Sequence, residues 1–219
     1  QCPIVVNIHP LSPSTQKLHM LGLFGKPKKM TSDDIEDAIR RYAKTAEIAR
    51  KAGFDGVQIH AAHGYLISQF LSPITNRRTD EWGGTLENRA RFLRRVYAAT
   101  RASVGPDFPV AVKLNSADFQ KGGFTLEESA QVANWLEQDG IDLIELSGGT
   151  YEQMSFVSGT EEEQRESTQK REAYFLEYAR EVRKAVTIPI MVTGGFRSRS
   201  AMERAITKDG IDMIGLARP

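Results

Sequence analysis

Six short apolar runs punctuate the chain, at residues 4–8, 56–59, 110–114, 143–146, 188–192 and 213–216. Most are rich in Val and Ile, the composition of strands buried on both faces. Between them the apolar positions recur at helical steps. Thr31, Ser32, Asp33 and Asp34 offer a cap and early acids, Ile35, Ile39, Tyr42, Ala46 and Ala49 mark one face, and Gly53 supplies a stop. Thr125 and Glu128 stand at the spacing of a capping box before Leu126, Ala130, Ala133 and Leu136, with Gly140 as the stop. Leu86, Ala90, Leu93 and Tyr97 repeat the pattern ahead of Gly105, and Phe175, Tyr178, Val182 and Ala185 do so again.

Strands alternating with amphipathic helices predict parallel βαβ units, hence an α/β fold. An open doubly wound sheet would usually place a Gly-rich turn straight after its first strand, and His9-Pro10-Leu11-Ser12 is not one. A closed (β/α)8 TIM barrel instead scatters its chemistry over the C-terminal ends of many strands, and that is the pattern found. A complete barrel takes eight strands and about 250 residues. Six runs in 219 residues therefore predict strands 3 to 8 with their helices, the first two strands being absent, in one incomplete domain over 1–219. Residues 11–29 and 150–170, the latter with Glu161-Glu162-Glu163, read as loops over the barrel mouth.

Composition narrows the function classes. Charged side chains make up 26%, yet 29 basic and 28 acidic residues leave a formal charge of +1, which argues against nucleic acid or an anionic membrane as partner. No apolar run is long enough to span a bilayer. Cys2 is the single cysteine, which favours a reducing, cytoplasmic setting.

The fourth barrel strand runs into His60-Ala61-Ala62-His63-Gly64-Tyr65. Two imidazoles can donate to one carbonyl or oxyanion, and a phenol beside them can deliver a proton. A metal site and simple packing are the alternatives, although no Cys, third His or suitably spaced carboxylate joins the pair. On the fifth strand, Lys113 sits between Val112 and Leu114. It is either a snorkelling edge residue or a charge aimed into the mouth, where an electron-rich ring or a phosphate would answer it. Gly194-Gly195 closes the seventh strand, and Ala217-Arg218 the eighth. Loops at these two ends are where many barrels hold a phosphate, the glycines by backbone N–H groups and the arginine by paired bonds.

The stretch from Gly53 through His60, His63 and Tyr65 to Leu66 resembles the strand-four signature of the old yellow enzyme (NADH:flavin oxidoreductase) family. Its continuation Gln69 to Arg89, the segment Val112 to Phe119 and the ending Gly215 to Pro219 are similar too, with the flavour of fungal members. The resemblance implies FMN as cofactor, reduced by NADH or NADPH, and a small activated alkene or quinone as substrate. It implies that His60 and His63 polarise the carbonyl of an α,β-unsaturated substrate, that flavin N5 passes hydride to the β-carbon, and that Tyr65 protonates the α-carbon. Lys113 would sit by the flavin N1/O2 edge; Gly194, Gly195, Ala217 and Arg218 would hold the phosphate. Segment 76–88 would be structural. Asn7 stands where the family carries a flavin-binding Gln. A truncated or degenerate barrel with a non-catalytic binding role is the competing reading. The spacing says nothing of oligomeric state.

Overall fold

The structure is a computed structural model and describes residues 11–15, 27–148 and 175–216. In chain order its elements are β1 (Leu11–Ser12), β2 (Lys28–Lys29), α1 (Ser32–Lys51), β3 (Val57–Ala61), α2 (Leu66–Leu71), α3 (Leu86–Val104) and β4 (Val110–Asn115). There follow α4 (Leu126–Gln138), β5 (Leu143–Ser147), α5 (Leu176–Arg183), β6 (Ile190–Thr193), α6 (Arg199–Lys208) and β7 (Met213–Gly215). The strand expected at 4–8, the loop expected at 150–170, and Ala217 and Arg218 lie outside the described residues.

Helix starts follow from local chemistry. The Thr31 hydroxyl accepts from the Asp34 N–H, and the Asp34 carboxylate accepts from the Thr31 N–H, so two otherwise unpaired donors at the start of α1 are satisfied. Thr125 and Glu128 close the same box ahead of α4. Gly140 follows α4 at φ 91°, a backbone region open to glycine, and its carbonyl accepts from the buried Tyr97 hydroxyl at 2.5 Å.

Five strands form one parallel sheet in the order β3-β4-β5-β6-β7. Strand order equal to chain order, without the reversal that marks a doubly wound sheet, is the wall of a barrel. Ile59, Ala61, Val110, Val112, Leu114, Ile144, Leu146, Ile190 and Val192 are buried, and they share one core with helix residues such as Phe92, Leu93, Val132, Leu136, Ala179 and Val182. Each fully buried aliphatic side chain contributes about 1.5–3 kcal/mol relative to exposure, which makes this layer the main source of stability.

Several sequence expectations need correction. The strands are not apolar on both faces: the alternate positions Gln58, His60, Lys113, Glu145, Ser147 and Thr193 carry polar groups on the face away from the helices. β3 runs two residues past 59, so His60 belongs to the strand itself. β6 begins at Ile190 because Pro189 has no N–H to give a ladder. The buried stripe of α5 is Leu176, Ala179 and Val182, with Phe175 before the helix and Tyr178 beside Phe119. Helices α2 and α6 carry no counterpart in the periodic pattern read above.

Segment 76–88 is a hydrogen-bonded clamp, as expected. Buried Asn76 donates through Nδ2 to the carbonyls of Phe70 (2.7 Å) and Trp82 (2.8 Å), joining both ends of the segment. Arg78 donates to the carbonyls of Met30 (2.7 Å) and Pro13 (3.2 Å) and pairs with Asp80 at 2.6 Å. Arg89 reaches the Leu71 carbonyl and the Glu128 carboxylate, fastening α2 and α3 to the start of α4. The short β1–β2 pair is thereby tied under the first helix.

Candidate active site

His60 leaves β3 one position before its end, on the face away from the helices. The chain then turns through His63 (φ 61°) and Gly64 (φ 76°), two consecutive residues in left-handed backbone. That conformation is costly for a histidine, so it has to be held from outside. The His63 N–H donates to Asn115 Oδ1 (3.1 Å) at the end of β4. The Gly64 N–H donates to Ser68 Oγ (3.2 Å), and the Gly64 carbonyl accepts from Gln69 Nε2 (2.7 Å). Tyr65 stands at the N-cap of α2 with an exposed ring.

The three rings meet. His60 and His63 lie edge to face with centroids 5.3 Å apart, and His60 lies 4.8 Å from Tyr65. His60 Nδ1 accepts from the Ala62 N–H at 3.2 Å, so its remaining proton belongs on Nε2. His63 Nε2 is 2.8 Å from Ser147 Oγ, and where Ser147 donates, Nδ1 of His63 carries the proton. Burial pulls the His60 pKa below the usual imidazole value, and the Lys113 charge adds to it against Glu145. Burial, then Lys113 and His60, lower His63 to about 4. Near neutral pH both rings are uncharged N–H donors.

This depression predicts a pH effect. The His63 pKa in the folded chain lies below the 6.5 of the free side chain, so between about pH 4 and 6.5 the unfolded chain binds more protons. Stability contributed at this position therefore rises with pH across that window and is lost as pH falls through it. An NMR titration of His63 should have its midpoint near 4, and a His63→Gln variant should lose that part of the slope of unfolding free energy against pH. A midpoint near 6.5 would contradict the burial argument.

Lys113 is the register neighbour of His60 on one side and of Glu145 on the other. Its ammonium lies 2.5 Å from Glu145 Oε1, with side chains 18% and 6% exposed. The anionic partner that the sequence reading sought in a ring or phosphate is thus supplied within the chain itself. Burial works against the ionised Glu145 carboxyl, and the bond and charge of Lys113, joined by Thr193 and Gln58, outweigh that and hold it below the usual range. Glu145 was missed in sequence; the signal is a lone charge inside the apolar run Leu143-Ile144-Glu145-Leu146, matching Lys113 in its own run.

At the end of β6, Gly194 (φ 120°) and Gly195 (φ 78°) turn the chain toward Ser198, which caps α6 by accepting from the Ala201 N–H. A Cβ on Gly194 would come 3.0 Å from the Phe175 ring. Glycine at 194 is thus required both by its positive φ and by the Phe175 ring packed against it, at a strand C-terminal end. Glycine turn, imidazole pair and buried lysine fit a flavin nucleotide. Among the described residues no three His, Cys, Asp or Glu side chains converge as a metal site would need, and no described helix is long and apolar enough to cross a membrane.

Fold and site together define part of a parallel α/β barrel whose wall carries polar groups on its inner face and at the C-terminal end of β3. Residues 10–219 match the model of the NADH:flavin oxidoreductase / NADH oxidase family, and the chain belongs to that family. The family's cofactor is FMN, with NADH or NADPH as reductant. The chain is 42% identical over 199 residues to the NADH-dependent flavin oxidoreductase iccE of Talaromyces variabilis, covering 90% of this chain and 48% of the relative. It is 34% identical to the NADH oxidase of Thermoanaerobacter brockii, covering 98% and 32%. Among solved structures, a 2-naphthoyl-CoA reductase superposes with a TM-score of 0.85 at 33% identity, covering 96% of this chain and 31% of that one. An old yellow enzyme homologue from Zymomonas mobilis superposes at 0.75 with 28% identity, covering 97% and 58%. The chain thus spans half or less of the length of these two sequence relatives.

Proposed function

We propose that residues 1–219 act as one flavin-binding barrel domain of an FMN-dependent NAD(P)H oxidoreductase, reducing the C=C bond of α,β-unsaturated carbonyl compounds. The observation that carries this reading is the convergence of two neutral imidazoles and a phenol on the polar face of a barrel wall, beside a buried lysine. His60 Nε2–H and His63 Nδ1–H bind and polarise the substrate carbonyl; being uncharged, they donate without repelling a cation or surrendering a proton outright. Tyr65 delivers a proton to the α-carbon. FMN, when bound, supplies hydride to the β-carbon. Lys113 would lie by its pyrimidine edge, and Gly194 and Gly195 would hold its phosphate together with Ala217 and Arg218, which lie beyond the described residues. The NADH-dependent fungal relative supports NADH as reductant.

A visible absorption spectrum of the protein with FMN, recorded before and after NADH without oxygen, tests the reading. A flavin band that bleaches, and returns on addition of 2-cyclohexenone, is the expected result. A protein that leaves FMN free would sink the reading and favour a barrel with a non-catalytic binding role.

A further inference from the structure

Lys113 and Glu145 lie side by side on adjacent parallel strands, both largely buried, with ammonium and carboxylate 2.5 Å apart. Each charge interrupts an otherwise apolar run, and a buried pair of this kind is seldom the most stable filling for a core. Hydrophobic residues of the same volume would pack the two strands at least as well. The pair stands next to the polar turn: Lys113 is the register partner of His60, and the charges of Lys113 and Glu145 act on both imidazoles with opposite sign.

We infer that Glu145 is a positioning residue that cancels the charge of Lys113 toward the flavin and so sets the reduction potential of the bound cofactor. This rests on the flavin reading above and deepens it. The hydride taken from NAD(P)H carries one net negative charge into the site, while NAD(P)+ leaves. A lone ammonium would hold that charge strongly and make the cofactor a weak reductant. A zwitterionic pair presents a dipole with no net charge, so the arriving charge is stabilised less and the hydride is passed on to an alkene more readily. Glu145 also gives Lys113 one fixed hydrogen-bond partner across the strand pair.

The test is a charge series read as the two-electron potential of bound FMN at pH 7. Glu145→Gln keeps the shape and leaves a net positive site; the reduced cofactor should be held about tenfold more tightly relative to the oxidised one, an upward shift of ~30 mV for a two-electron couple. Lys113→Gln leaves a net negative site and should shift the potential downward. The double variant Lys113→Gln/Glu145→Gln restores neutrality and should return close to the parent. Circular dichroism establishes that each variant is folded, and the Lys113→Gln arm stands even where Glu145→Gln does not fold. A Glu145→Gln potential equal to the parent's, or a double variant that stays with either single one, overturns the inference. A parent chain that binds no FMN in a fluorescence titration removes the flavin reading itself, and this inference falls with it for that separate reason.

Discussion

Replacing Tyr65 by Phe is expected to slow alkene reduction by about 10²–10⁴-fold, the usual contribution of a positioned general acid. Flavin reduction by NADH should change by no more than about twofold, because hydride transfer into the cofactor needs no proton from a side chain. The geometry favours a clean separation. The Tyr65 ring is exposed, its backbone carbonyl is fixed by the Gln69 N–H at 2.8 Å, and its ring lies edge-on to His60. Removing the hydroxyl therefore costs little packing, and the loss reports proton delivery. Rapid-mixing measurement of the two half-reactions decides the matter. Equal loss in both would mean that Tyr65 shapes the pocket and that the proton comes from elsewhere.

Arg78→Met should lower the unfolding free energy by about 3 kcal/mol, in the range observed when one partner of a buried charge and hydrogen-bond network is removed. Arg78 is 5% exposed and spends its donors on Pro13, Met30 and Asp80, three points far apart in the chain or across a turn. Methionine keeps the bulk of the stem but leaves two carbonyls without a donor. Asp80 is partly exposed and can be rehydrated, so most of the cost falls on the carbonyls. For a domain of this size the melting temperature should drop by roughly 6–12 °C. A shift within about 1 kcal/mol, measured by denaturant unfolding, would show that the clamp is redundant with Asn76.

The turn that carries the chemistry also explains its scaffold. His63 is held in left-handed backbone by Asn115, and its ring is held by Ser147, so β3, β4 and β5 each fix one part of a single histidine.

Much of the site could be read from residue order alone. His60, His63 and Tyr65 fall within six residues, so any turn at that point brings them together. Lys113 announced itself as a charge in an apolar run, and Gly194-Gly195 as a turn at a strand end. Capping at Thr31 and Thr125 was equally readable, since a capping box is satisfied within four residues. The two faces of the strands were misread because apolar runs leave open which alternate residues meet helices and which line the interior.

Local pattern by itself determined the alternation of strand and helix, the starts of α1 and α4 and the identity of the catalytic candidates, because each depends on neighbours a few residues away. Tertiary structure alone decided that Glu145 answers Lys113, that Ser147 and Asn115 hold His63, and that Arg78 joins Pro13 to Met30. These partners lie 32 to 84 residues apart along the chain. The register of the parallel strands brings Lys113 to Glu145 and His63 to Asn115 and Ser147, while the packing of the 76–88 segment brings Arg78 to Pro13 and Met30.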